Sequence, residues 1–296
     1  MNAVSDLWDL PFEELRTLAE DGDAAAQHVI GCLCDLEPEG AEKAVQWWRK
    51  AAAQGHAASM NDLGACYENG SGVEQNAAAA SEWYRKAAGA GDALGMLNLG
   101  RASKLGLGVP ADTALMVQWY RRAAEMGHAD GLYQLGSCYE RGDGVVQNHA
   151  LAAYWYLRAA ALEHAEARLR LGCLYDQGLG LPHDELRAAH FYRLAAEQGV
   201  PLAQYNLACC YELGIEMQAD SALALSWYTQ ALEQQNPDAQ WRMGVAYRDG
   251  DFGLPQNRDK AQRLVELAAA QGFEAAIRDL EQWGTSKNSL NRCLSG

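Results

Sequence analysis

The sequence predicts an all-α protein, an α/α superhelix of stacked antiparallel helix pairs with about seven repeats and a capping helix at each end. Three observations predict it. An aromatic column recurs every 36 residues at Trp48, Tyr84, Tyr120, Tyr156, Tyr192 and Tyr228, and continues more loosely at Val265. A column of small residues, Gly31, Gly64, Gly100, Gly136, Gly172, Ala208 and Gly244, keeps the same step after its first interval, each preceded by Ile, Leu or Met. Helix start and stop residues recur in the same cadence.

The elements follow in order. The segment from Pro11 to Asp21 reads as the second helix of an incomplete leading unit. In the first full-length unit, Ser59, Met60, Leu63, Gly64 and Tyr67 fall on one face at helical spacing, and Asn69-Gly70 ends that helix with a left-handed cap. The cap recurs at Gly106, Gly142, Gly178, Gly214 and Gly250. The second helix opens at Asn76, and the same slot holds Asp112, Asn148, Asp184, Asp220 and Asn257, whose side-chain oxygens suit them to N-capping. It ends at Gly55, Gly91, Gly127, Gly199 and Gly272, with Glu163 and Gln235 as the exceptions. One pair cannot bury both its faces, so stacking supplies the core, with Gly64 and its equivalents letting helices approach and Tyr67, Trp83 and theirs filling the gaps. The expected organisation is an N-terminal segment with capping helix over 1–21, a repeat body over 22–283, and a polar tail over 284–296 expected to fray.

Composition narrows the function classes. Twenty-four Lys and Arg against 39 Asp and Glu give a net charge of −15, which repels phosphate backbones and anionic lipid. Nucleic acid and membrane are therefore disfavoured as partners, and a protein or peptide is favoured. The N-terminus lacks a cationic start and an apolar run, and no long uncharged apolar stretch occurs, so the expected location is the cytoplasm. Eight Cys at irregular spacings fit small core residues in a reducing compartment rather than a disulfide framework.

The pattern Ala58-Ser59-Met60-Asn61-Asp62-Leu63-Gly64-Ala65-Cys66-Tyr67-Glu68-Asn69-Gly70, followed by Gly72-Val73, Gln75-Asn76 and Trp83-Tyr84-Arg85-Lys86-Ala87-Ala88, resembles the Sel-one-like repeat (SLR) family, a relative of the tetratricopeptide repeats. The resemblance runs from about Gly22 to Trp283. It implies a right-handed solenoid that acts as a non-enzymatic adaptor between proteins. The cysteine-rich bacterial branch of the family, which pairs two Cys per repeat and has members reported to act on β-lactams, is a poor match: Cys34, Cys66, Cys138 and Cys210 share one column with no partner column.

Residues that imitate catalytic motifs have plainer readings. The Gly-x-Gly loops at Gly70, Gly106, Gly142 and Gly178 follow no strand and repeat with the helix turn, so they read as turns rather than phosphate cradles. Cys32-Leu33-Cys34 and Cys209-Cys210 read as core thiols, with no second Cys or His pair at zinc spacing. His56, His128 and His164 share one slot, held by Asp92 in another unit, and read as helix-start residues. His183 and His190 flank the N-cap Asp184, and the internal His183-Asp184-Glu185-Leu186 is not at the C-terminus, where such retention signals are read. No catalytic, cofactor or metal residues are assigned.

Recognition must come from residues that the repeat does not require. Sixteen of the 22 Trp and Tyr fall in three repeat columns; Tyr133, Tyr205 and Trp241, outside them, share a slot three before the Gly column, with His28, Asn61, Leu97 and Leu169. That slot, the residue after the Gly and the residue four after it form one helix stripe. The second row includes Arg101, and the third holds Asp35, Glu68, Lys104, Glu140, Asp176, Glu212 and Arg248. In tetratricopeptide repeats the matching stripe lines the concave groove. Aromatic anchors beside carboxylates suit a polypeptide with apolar knobs and some positive charge. The alternative is that the aromatics pack on the next unit and the acids are a solvated face. Arg101 and Lys104, where Ser103 also replaces the column Tyr, read either as a contact for an acidic group or as drift in one repeat. The leading function is thus a scaffold binding a polypeptide in that groove; the alternatives are an immunity or inhibitor protein against a basic effector, and a hydrolase of β-lactam or cell-wall type. Oligomeric state is left open.

Overall fold

The computed structural model describes residues 7–215 and 218–282. Trp283 and the tail over 284–296 lie outside the described residues. The chain divides into two compact units, one ending at Ala159 and one beginning at Ala160. The first holds α1 (Phe12–Glu20), α2 (Ala24–Asp35), α3 (Ala41–Ala53), α4 (Ala57–Asn69), α5 (Ala77–Gly89), α6 (Ala93–Leu105), α7 (Thr113–Glu125), α8 (Ala129–Arg141) and most of α9 (His149–Ala161). The second holds α10 (Ala165–Gln177), α11 (Glu185–Glu197), α12 (Pro201–Leu213), α13 (Ser221–Glu233), α14 (Pro237–Asp249) and α15 (Arg258–Ala270), then a helix over 274–282. Every element is helical among the described residues. No helix among them is long and apolar enough to cross a membrane.

The ends of the helices are set by the residues that recur there. Asn76 Oδ1 accepts from the Ala79 N–H at 3.0 Å, and Asp112, Asn148, Asp184, Asp220 and Asn257 make the same bond at the starts of α7, α9, α11, α13 and α15. His56 and His164 cap through Nδ1, which accepts from the Ser59 and Ala167 N–H groups; His128 stands at the same slot without that bond. The first helices close on Gly70, Gly106, Gly142, Gly178, Gly214 and Gly250, all left-handed. Glu163 and Gln235 adopt φ of 62° and 61° where the other units have Gly, a conformation that costs a residue with a Cβ about 1 kcal/mol. The extra residue of the last repeat is absorbed in a short 3-10 turn, Asp251–Gly253, with Phe252 at φ 56°.

Packing explains both columns. A Cβ on Gly64 would stand 2.5 Å from the Tyr84 ring, and Gly31, Gly100, Gly136 and Gly172 stand in the same way against Trp48, Tyr120, Tyr156 and Tyr192. The glycine therefore seats the aromatic of its own unit's second helix, and those rings are buried. The second Gly of the Gly-x-Gly loop joins neighbouring units: a Cβ on Gly72, Gly108 or Gly144 would meet the Ala41, Ala77 or Thr113 carbonyl oxygen of the preceding repeat within 2.5 Å. These loops are close backbone contacts, as expected for turns.

The remaining columns place cations over aromatic rings within a helix and hydrogen-bond tyrosine hydroxyls between helices. Lys50, Lys86, Arg122 and Arg158 each lie over the Trp three residues earlier, at 3.9 to 5.2 Å from the ring centre. The column Tyr hydroxyls accept from Arg49 (Tyr67), Arg121 (Tyr139), Arg187 (Tyr175) and Lys260 (Tyr247). Ser103, which replaces this Tyr in α6, is fully buried and donates to the Leu99 carbonyl instead.

Candidate functional site

The stripe of candidate contact residues lies on α2, α4, α6 and α8 in the first unit and on α10, α12 and α14 in the second. Its first row divides. Leu97, Tyr133, Tyr205 and Trp241 are half-buried, whereas Asn61 and Leu169 are buried. Asn61 accepts from Asn98 Nδ2 at 2.9 Å, and Leu169 sits in the cluster with Tyr192, Ala196 and Val200. These two serve packing and offer a partner little surface. The aromatics also have neighbours: Tyr133 and Tyr205 lie 5.7 Å, centre to centre, from the column residues Tyr156 and Tyr228. Trp241 lies 5.7 Å from Phe273 and donates from Nε1 to Asp279 at 2.9 Å. Each therefore combines a packed face with an exposed part.

The acidic row has a structural role that the sequence did not display. Glu68, Glu140 and Glu212 accept hydrogen bonds from the hydroxyls of the buried Tyr84, Tyr156 and Tyr228, sixteen residues on. A buried hydroxyl needs a partner, and the carboxylate provides it. Glu68 is joined by Arg101 of the next repeat, and Glu212 by a bidentate Arg242, which also reaches Asp251 at 2.9 Å. Hydrogen bonding from Arg101 holds Glu68 below the usual carboxylate range. At Glu212 burial raises the pKa, but hydrogen bonds from Arg242 and Tyr228 outweigh it and the net shift is downward.

Arg101 and Lys104 are inter-repeat ties in this fold: Arg101 binds Glu68 behind it, and Lys104 pairs with Asp143 ahead of it at 3.1 Å. Asp35, Lys104, Asp176 and Arg248 are exposed, and Arg248 pairs with Asp249 at 2.8 Å. Arg242, three residues before Val245, stands in a column that holds Asp62, Asn98, Gln134, Arg170 and Asn206 elsewhere, so no repeat pattern marks it.

The thiols separate into two kinds. Cys66 and Cys138 are buried, and burial pushes their pKa to about 12 and about 11. None of the seven described Cys is in a disulfide. Cys32 is different, being half-buried beside His28 and Asp62: its Sγ lies 3.6 Å from His28 Nε2, and His28 Nδ1 lies 3.5 Å from Asp62 Oδ2. Sequence spacing hid this group because Asp62 comes from the following repeat.

The Sel1 repeat model matches residues 25–56, 57–92, 93–128, 129–164, 165–200, 201–236 and 237–273. The chain belongs to the Sel1 repeat family. The Sel1 repeat protein from Oxalobacter formigenes is similar at 33% identity over 82% of this chain and 96% of its own, with a TM-score of 0.74. The c5321 protective antigen of uropathogenic Escherichia coli, which has an SLR fold, is similar at 31% identity over 92% of this chain and 66% of its own, with a TM-score of 0.53. The immunity protein Pa5087 from Pseudomonas aeruginosa matches at 22% identity over 73% of this chain and 82% of its own, with a TM-score of 0.47. No curated protein shows significant similarity to the chain. As a Sel1 repeat protein it belongs to a class of α/α solenoid scaffolds that are generally non-catalytic and bind proteins.

Proposed function

We infer that this Sel1 repeat protein is a non-enzymatic adaptor that holds a polypeptide against the stripe of its first helices. The observation that carries this reading is the partial exposure of Leu97, Tyr133, Tyr205 and Trp241 after the repeat columns have been packed. Large aromatics on a fixed helical frame lose little entropy on binding, which suits them to anchor a partner. Around them, Asp35 and Asp176 leave charge available, whereas Glu68, Glu140 and Glu212 are committed to tyrosine hydroxyls. The partner is then an extended or helical segment with apolar side chains and a modest positive charge.

The test is capture from native lysate on two baits, the intact chain and Tyr133→Ala/Tyr205→Ala/Trp241→Ala, followed by calorimetry on the protein retained. A loss of ten-fold or more in affinity, with helical content and melting temperature close to those of the intact chain, supports the stripe. Equal affinity of the two baits places binding elsewhere.

A second reading, an inhibitor of a basic effector, is favoured by the net charge of −15. It requires one tight target, with a strong salt dependence of association, whose activity is lost at one equivalent of this protein.

A further inference from the structure

Between the first and second repeats, two helices bring together three side chains whose chemistry the repeat pattern does not require. His28 and Cys32 are one helical turn apart on α2, so they share a face, and Asp62 reaches them from α4. A ring nitrogen of His28, the Cys32 sulfur and a carboxylate oxygen of Asp62 lie within 4.8 Å of one another. Ligand atoms in a tetrahedral zinc site, each about 2.0–2.3 Å from the ion, are roughly 3.3–3.8 Å apart. Only one His28 nitrogen can hold the ion: Nε2 already stands 3.6 Å from Cys32 Sγ, whereas the 3.5 Å contact of Asp62 is to Nδ1, so the Asp62 carboxylate must swing toward Nε2 to complete the set. All three residues are half-buried, so an ion can reach them.

The surroundings hold the imidazole in place. Ser59, fully buried, lies 3.1 Å from His28 Nδ1 and 3.0 Å from His56 Nδ1 through its Oγ, and the two imidazole rings are 4.7 Å apart. The Trp48 indole donates to the His28 carbonyl at 3.2 Å, tying α3 to the same turn of α2. Metal-ligating histidines are commonly oriented by such outer contacts.

We propose that His28, Cys32 and Asp62 form a site for a borderline divalent cation, Zn2+ above all, with three protein ligands and a fourth position for water. The donor set decides the class of ion. Sulfur and imidazole select against Mg2+ and Ca2+, which take oxygen, and three ligands with room for a fourth suit tetrahedral Zn2+ or its spectroscopic substitute Co2+. Binding ties α2 to α4, and so the first repeat to the second.

The test uses the full chain after chelator treatment. Competition with a chromophoric chelator is expected to show one Zn2+ per chain with Kd below about 1 μM. Co2+ should give the near-ultraviolet thiolate charge-transfer band and the intense visible bands of a tetrahedral ion. Cys32→Ala and Asp62→Asn should each weaken Zn2+ at least ten-fold and Cys32→Ala should abolish the charge-transfer band, while Cys173→Ala, in the other unit, should leave both unchanged. Cys32→Ser, which keeps the size of the side chain, provides the same reading if Cys32→Ala does not fold. Absence of Zn2+ binding at this level, equal affinity in the ligand variants, or a Co2+ spectrum without the thiolate band would overturn the proposal. None of these outcomes bears on the polypeptide stripe, which the two-bait experiment tests separately.

Discussion

The second and sixth matched repeats solve one problem with different residues. Both bury a tyrosine, Tyr84 and Tyr228, and both satisfy its hydroxyl with a glutamate, Glu68 and Glu212. Both then neutralise that glutamate with an arginine from the next repeat. In the first unit it is Arg101, one residue after the Gly column, with 42% of its side chain exposed. In the second it is Arg242, two before the column and only 13% exposed, bidentate on Glu212 and shared with Asp251. The small-residue column differs too: Gly64 leaves no room for a Cβ under Tyr84, whereas Ala208 is buried in one cluster with Tyr228, whose ring also meets Tyr205 and Phe252. The lesson is that the tyrosine and glutamate are the repeated device, and that the cation is supplied from whichever neighbouring position reaches it.

Breaking the device should hurt most where it is driest. Arg242→Ala leaves Glu212 and Asp251 without their counter-ion in a partly desolvated setting and is expected to cost roughly 2–4 kcal/mol, read by denaturant unfolding. Gly64→Ala places a methyl group where the Tyr84 ring stands; overpacking costs ~1–3 kcal/mol against a helix-propensity gain of about 1, so a net loss of about 1 kcal/mol is expected. Loss of stability equal to that of Arg242→Ala would show that ring seating, rather than charge, governs the repeat. Arg101→Ala, exposed and screened, should cost less than about 1 kcal/mol and lose even that in high salt.

Acid should sharpen the same contrast. Glu68 and Glu212 have folded pKa values below the ordinary one, so their contribution is fully present above the unfolded value and is lost as pH falls through the folded one. Stability measured from neutral pH downward is therefore expected to fall below about pH 4.5, and the fall should be shallower in Arg101→Ala and Arg242→Ala than in the parent chain. The smallest effect concerns the thiols: at pH 8 in the folded chain, Cys66 and Cys138 should react with a maleimide far more slowly than the half-buried Cys34 and Cys173. Fast labelling of Cys138 would show local opening of α8.

Much of the architecture was legible because the repeat writes it many times. A helix cap depends on one residue and the few that follow, so Asn76, Asp112 and Gly70 announced their roles without any tertiary information. The glycine column and its aromatic partner were legible for a related reason: the pairing is local, between the two helices of one unit, and recurs. What the columns could not show was which side chains meet across repeats. Glu68, Glu140 and Glu212 read as a surface for a partner, yet they serve buried tyrosine hydroxyls. Arg101 and Lys104 read as a contact spot or as drift, yet they reach backward and forward to Glu68 and Asp143. Asn61 and Leu169 read as groove residues and are buried.

By itself, then, the sequence determined the class, the number of helix pairs and the ends of nearly every helix, because caps, glycine turns and periodic faces are short-range and stated again in each repeat. The tertiary structure alone decided which acids are free, where each arginine goes, and that His28, Cys32 and Asp62 meet. Those outcomes depend on distances of a few ångströms between side chains on different helices, sixteen residues apart for each glutamate and its tyrosine and thirty or more for Arg101 and Glu68, Arg242 and Glu212, and His28 and Asp62, and charge and hydrogen-bond energies change sharply over that range.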